Sequence, residues 1–110
     1  MPRKVIISCA LTGAIHTPTM SAALPVTPEM MVEQGVAASK AGAAILHVHA
    51  RDARDGRPTA DSAAFAAVLP GLKQGAEAVI NVTTGGGIGM TVDDRLKGPA
   101  MLRPEMCRSE

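Results

Sequence analysis

Residues 45–52 read ILHVHARD, an apolar run that closes on two histidines one residue apart, an arginine and an aspartate. The 110-residue chain holds only 3 histidines, so placing two of them together asks for a physical reason. Ala44 to His49 reads as a strand, entered from a glycine stop at Gly42 and left through a turn at Asp55-Gly56. Side chains alternate across a strand, so His47 and His49 face one way and Val48 the other. Their Cα atoms then stand roughly 6.5 Å apart. A strand that is apolar almost throughout belongs in a parallel sheet covered on its faces, and that choice decides how the rest of the chain is read.

Working outward, Lys4 to Ala10 reads as a first strand around the β-branched run Val5-Ile6-Ile7. A loop containing Thr12-Gly13, Thr17-Pro18 and Leu24-Pro25 follows. Thr27-Pro28-Glu29 opens a helix, with Thr27 as cap, Pro28 in the first turn and Glu29 at the positive end of the dipole. That helix is expected to reach about Ala41. Beyond the histidine strand, Phe65, Val68, Leu69 and Leu72 follow helical spacing and predict a helix over about Ser62–Gln74, kinked at Pro70. Ala78 to Thr83 predicts a third strand, followed by the glycine-rich stretch from Thr84 to Gly89. Thr91-Val92-Asp93-Asp94 resembles a capping box opening a short helix that Gly98-Pro99 is expected to break. Leu102 to Cys107 looks like the approach to another strand. The alternation of strand and helix predicts an α/β chain with a parallel sheet.

Composition narrows the function classes. The chain is 46% hydrophobic and 19% charged, as in a soluble globular protein. A single Phe65 makes up the aromatic content of 1%, so core volume must come from Val, Ile, Leu, Met and close approach through Ala and Gly. The net charge of +1, with no basic stripe, disfavours nucleic-acid binding. No apolar run approaches a membrane span, and the N-terminus lacks the apolar region of a signal peptide, so a cytoplasmic location is expected. Cys9 and Cys107 form no disulfide framework or metal spacing and read as two reduced thiols.

In parallel α/β proteins, chemistry gathers at the C-terminal ends of the strands. Here those ends lead into Thr12-Gly13, into His47, His49, Arg51 and Asp52, and into Thr83-Thr84-Gly85-Gly86. Two imidazoles on one face can converge on one divalent metal, zinc among them, with a third ligand leaving an open position. The alternative is a histidine pair that only hydrogen-bonds within a polar cleft. His16 is the remaining histidine, but a lone loop histidine is more often solvent-exposed. The threonines and glycines from Thr83 offer hydroxyls and backbone N–H groups to a carboxylate or phosphate, or form an ordinary strand-to-helix turn. The stretch fits neither a dinucleotide motif, since Met90 replaces the third glycine, nor a P-loop. Arg51 shares the histidines' parity and is a candidate for holding a carboxylate. Arg54-Asp55 reads as a solvated turn, and Met30-Met31 as core.

Taken together, LTGAIHTPTM (11–20), LPVTPE (24–29), AGAAILHVHARD (41–52), DGRP (55–58), TTGGG (83–87), MTVDDRL (90–96) and RPEM (103–106) resemble the beta-keto acid cleavage enzymes. The resemblance covers residue 4 to about 107. It implies a (β/α)₈ barrel with a divalent metal, usually zinc, at its C-terminal face. His47 and His49 match the two metal-binding histidines, and Thr83 and Gly86 match positions that hold the keto acid's carboxylate. The implied reaction moves CoA from acetyl-CoA to a fragment of a beta-keto acid, giving acetoacetate and a new acyl-CoA, with the metal stabilising an enolate. The full-length family is expected to form homo-oligomers. The third metal ligand, a late-strand glutamate, has no counterpart here, nor do the proton-transfer residues of later strands. The amine-recognising glutamate of the aminohexanoate-cleaving members would fall at Ile15. Residues 1–110 are therefore expected to form a partial barrel domain, about three β/α units, truncated near the start of the fourth strand and inactive and poorly folded alone. Two other readings are an amidohydrolase-like metal hydrolase fragment, which would carry its H-x-H pair on the first strand, and a non-catalytic remnant that binds metal weakly.

Overall fold

The computed structural model describes residues 3–13, 19–52, 54–84 and 89–108. In chain order the elements are β1 (Ser8–Ala10), α1 (Pro28–Lys40), β2 (Ile45–Val48), α2 (Ser62–Ala66), α3 (Leu69–Gly75), β3 (Val79–Thr83), α4 (Val92–Leu102) and β4 (Met106–Arg108). The four strands form one sheet in the order β1-β2-β3-β4, and every pairing is parallel. Parallel neighbours need a crossover, and helices supply each of them. The expected α/β chain with a parallel sheet is therefore present, and the residues from Met106 form a fourth strand.

Helix boundaries follow local chemistry. Thr27 caps α1, its hydroxyl accepting from the Met30 amide at 3.2 Å. At the other end Gly42 takes φ +119°, its N–H donates to Ser39 O and the Ala43 N–H donates to Ala38 O. These two bonds form a Schellman stop that only glycine enters without strain. Thr91 and Asp94 form the reciprocal capping box at the start of α4.

Three expected boundaries are corrected. The first strand spans only Ser8–Ala10, because β2 begins just after the Gly42 turn and leaves Lys4 to Ile6 no partner strand among the described residues. Ile7 O accepts from the Ala44 and Ile45 amides, while Val5 and Ile6 stand 78% and 73% exposed. The helix expected over Ser62–Gln74 is two helices rather than one kinked helix: α2 ends at Ala66 and α3 restarts at Leu69. Pro70 thereby falls in a first turn, where its missing N–H has no intrahelical acceptor to satisfy. In contrast, α4 runs through Gly98-Pro99 to Leu102. An interior proline forfeits a helix bond, at a cost of about 3 kcal/mol, but here packing overrides it. Gly98 is buried against Phe65, and a Cβ there would lie 3.1 Å from the ring.

The core occupies the helix side of the sheet. Leu46 and Val48 of β2 and Ile80 and Val82 of β3 meet Met31, Phe65, Val68 and Leu72. With one aromatic residue, volume is recovered by close approach. A Cβ at Gly35 of α1 would meet Leu72, Leu11 and Leu46, and one at Gly71 or Gly75 of α3 would meet Val32 or Val36 of α1. The opposite face carries the alternate residues, which the register aligns as Ala10, His47, Asn81 and Met106 across the four strands.

Candidate functional site

β2 delivers His47 from its interior and His49 just beyond its end. Both imidazoles are buried, at 8% and 5% exposure, and their Nε2 atoms approach to 3.1 Å. The rings meet edge to face, 77° apart. The main chain is pinned on the same side: the Leu11 amide donates to His47 O, and the Thr12 hydroxyl donates to His49 O at 3.0 Å. Thr12 is itself buried, so this bond replaces hydration that both groups lose.

The pair fits a metal as two of its ligands. Two nitrogens each 2.0–2.1 Å from a tetrahedral ion stand about 3.3 Å apart, close to the spacing that these Nε2 atoms hold. Among the described residues no third histidine, cysteine or carboxylate joins them in a cluster.

Arg51 is 3% exposed, and its terminal nitrogens donate to Gly56 O and Gly13 O, each at 2.7 Å. The guanidinium thus clamps the loop after β1 to the turn after β2. Its Nε has no hydrogen-bond partner among the described residues. Burial lowers the Arg51 pKa, but a guanidinium stays charged at neutral pH. Arg51 also lines a cavity of about 380 Å³ shared with Met31, Thr59, Asp61 and Val68. Beside it, Asp52 pairs with Arg54 at 2.7 Å. The hydrogen bonds from Arg54 hold the Asp52 carboxyl down at about 2. Arg54 is exposed, as the solvated-turn reading expects.

Thr83 and Thr84 are buried at the end of β3, and Thr83 projects from the same face as Asn81. Gly86, His16 and Ile15 lie outside the described residues. Asn81, which the sequence motifs do not single out, has its Oδ1 buried without a hydrogen-bond partner among the described residues. The available signal was an amide in the middle of an otherwise apolar strand. Cys9 and Cys107 are free thiols, and no helix among the described residues is long and apolar enough to cross a membrane.

A parallel sheet with buried histidines, threonines and an arginine at its C-terminal strand ends defines an α/β protein with the layout of an enzyme. The family model of the beta-keto acid cleavage enzymes matches residues 4–110, and the chain belongs to that family. It is 57% identical over 104 residues to the 3,5-dioxohexanoate:acetyl-CoA acetone transferase of Paraburkholderia graminis, covering 94% of this chain and 34% of that protein. It is 38% identical over 107 residues to the 3-keto-5-aminohexanoate cleavage enzyme of Fusobacterium nucleatum, covering 96% and 39%. With the 3-dehydrocarnitine:acetyl-CoA trimethylamine transferase of Rhizobium meliloti it shares 39% over 88 residues, covering 79% and 29%. The chain spans about a third of the length of these relatives.

Proposed function

We propose that the protein to which this chain contributes cleaves a beta-keto acid with acetyl-CoA as co-substrate. The bond between C2 and C3 of the keto acid breaks, its C2 bonds to the acetyl carbonyl carbon to give acetoacetate, and CoA leaves with the remaining acyl group. No oxidant or reductant is consumed. The observation that carries this reading is the convergence of the His47 and His49 Nε2 atoms at 3.1 Å at the end of a parallel strand.

His47 and His49 hold a divalent metal, zinc by donor type, with a further ligand supplied from beyond the described residues. Bound there, the metal supplies a Lewis acid for negative charge developing on the keto acid's oxygen. Thr83 contributes its hydroxyl, and Gly86 its backbone N–H, to the substrate carboxylate. Arg51 adds buried positive charge and holds the loop after β1 to the turn after β2, so the histidine end of the site needs no reorganisation when charge develops. Residues 1–110 form the first part of a (β/α)₈ barrel, and the family-length protein works in the cytoplasm as a homo-oligomer.

The substrate carries no ammonium group. By the family resemblance Ile15 replaces the glutamate that would pair with one, and an unpaired, desolvated ammonium is costly. The 57%-identical relative is named for a dioxo acid that has no amine. Assaying acetyl-CoA consumption by the family-length protein against a panel of beta-keto acids tests this. Turnover of 3,5-dioxohexanoate or another keto acid lacking the amine is expected; preference for 3-keto-5-aminohexanoate, or no turnover of any keto acid, rejects the reading.

A further inference from the structure

For both histidines to present Nε2 lone pairs to one ion, each ring must carry its proton on Nδ1. A neutral imidazole in isolation does not hold that tautomer firmly; the hydrogen bond made by the other nitrogen selects it. The sheet register puts an acceptor beside His47. Asn81 is its Cα partner on β3, two residues before Thr83. Both side chains leave the sheet on the face opposite the Leu46–Ile80 pair. Parallel strands run about 4.8 Å apart. The structure does not make this bond, but imidazole Nδ1 and carboxamide Oδ1 each sit one bond beyond Cγ, so at that spacing rotation of the side chains brings them within hydrogen-bond reach. The Asn81 Oδ1 is buried and accepts no hydrogen bond from the described residues, a cost of about 1–3 kcal/mol that a donor would remove.

We propose that Asn81 is a positioning residue: its carboxamide oxygen accepts from His47 Nδ1–H and fixes the tautomer that turns Nε2 toward His49. The purpose of this contact rests on the metal reading above, whereas its geometry rests on the strand register alone. Leu46 and Ile80 cannot serve, because they point into the apolar core.

Nitrogen-15 labelling of the histidine rings tests the proposal in the metal-free family-length protein at about pH 8.5, well above the ordinary histidine value of ~6.5. In the unsubstituted protein His47 is expected to show a protonated Nδ1 and an unprotonated Nε2. Protonation at Nε2, or averaging between the two tautomers, overturns the proposal without any variant having to fold. Asn81→Leu keeps the shape but removes the acceptor and should release the tautomer, whereas Asn81→Asp keeps an oxygen and should retain Nδ1–H. A folded Asn81→Leu chain with the unsubstituted spectrum, or loss of Nδ1–H in Asn81→Asp, also overturns it. Competition for zinc against a chromophoric chelator adds a readout: Asn81→Leu should bind about 10–100-fold more weakly, and unchanged affinity in that folded variant rejects the positioning role. If zinc uptake does not depend on His47, the metal reading fails while the nitrogen spectra still decide whether Asn81 sets the tautomer.

Discussion

His47 and His49 combine burial with a 3.1 Å approach of two nitrogens that can each be donor or acceptor. Nitrogens at that distance share either a proton in a hydrogen bond or one cation, and the proposed function takes the second. Replacing either histidine with Ala should therefore remove most of the metal from the purified family-length protein, which elemental analysis reads directly; full metal content in both variants would reject the assignment. Asp52 gives a second test at this scale. Its folded pKa of about 2 lies below the ordinary 3.8 because Arg54 donates to its carboxylate. A depressed carboxyl stabilises the fold above the ordinary value, and that contribution is lost as pH falls through the folded value. The Asp52–Arg54 contact should accordingly persist at pH 4 and fade toward pH 2. Substitution of Arg54 by Ala should move the Asp52 midpoint, followed by carboxyl carbon NMR, up toward 3.8. An unmoved midpoint would assign the depression to some other group.

At the scale of elements, glycine sets the distances between helices. Gly35 of α1 faces Leu72, which is fully buried and has little room to yield. Two effects compete in Gly35→Ala. Helix propensity favours Ala by about 0.8–1.0 kcal/mol, while overpacking a filled core costs about 1–3 kcal/mol. The collision with Leu72, backed by Leu11 and Leu46, puts this site in the upper part of that range. A net loss of about 1–2 kcal/mol is expected in chemical denaturation, and a stabilised variant would mean that α1 and α3 separate freely. The C-terminus of α4 shows the reverse economy: Arg103 takes φ 47°, a left-handed conformation disfavoured for residues with a Cβ. Pro104 follows and prevents any continuation of the helix.

At the scale of the whole molecule, β1 and β4 are the two edges of the sheet. Beside β1 the run Val5, Ile6 and Ile7 stands 78%, 73% and 55% exposed, and Met101 and Met106 are exposed near β4. Apolar, β-branched segments next to an open edge recruit other chains. The 110-residue chain alone is expected to self-associate with concentration in sedimentation, Ile6→Lys should reduce this, and acetyl-CoA turnover by the chain alone is expected to be absent. A monomer at all concentrations that turns over acetyl-CoA would contradict the proposal that these residues are one part of a larger barrel. The sequence by itself determined the α/β alternation, the caps at Thr27, Gly42 and Thr91, and the pairing of His47 with His49 on one face. Those rest on periodicity and on local hydrogen bonds, which neighbouring residues decide. Only the tertiary structure decided that α4 continues through Pro99 and that the helix expected at Ser62–Gln74 divides in two. It alone showed Arg51 donating to Gly13 and Gly56 carbonyls, and it alone set Asn81 beside His47. Each of these depends on what another element places within a few ångströms, and strand register and helix packing are properties of the assembled sheet.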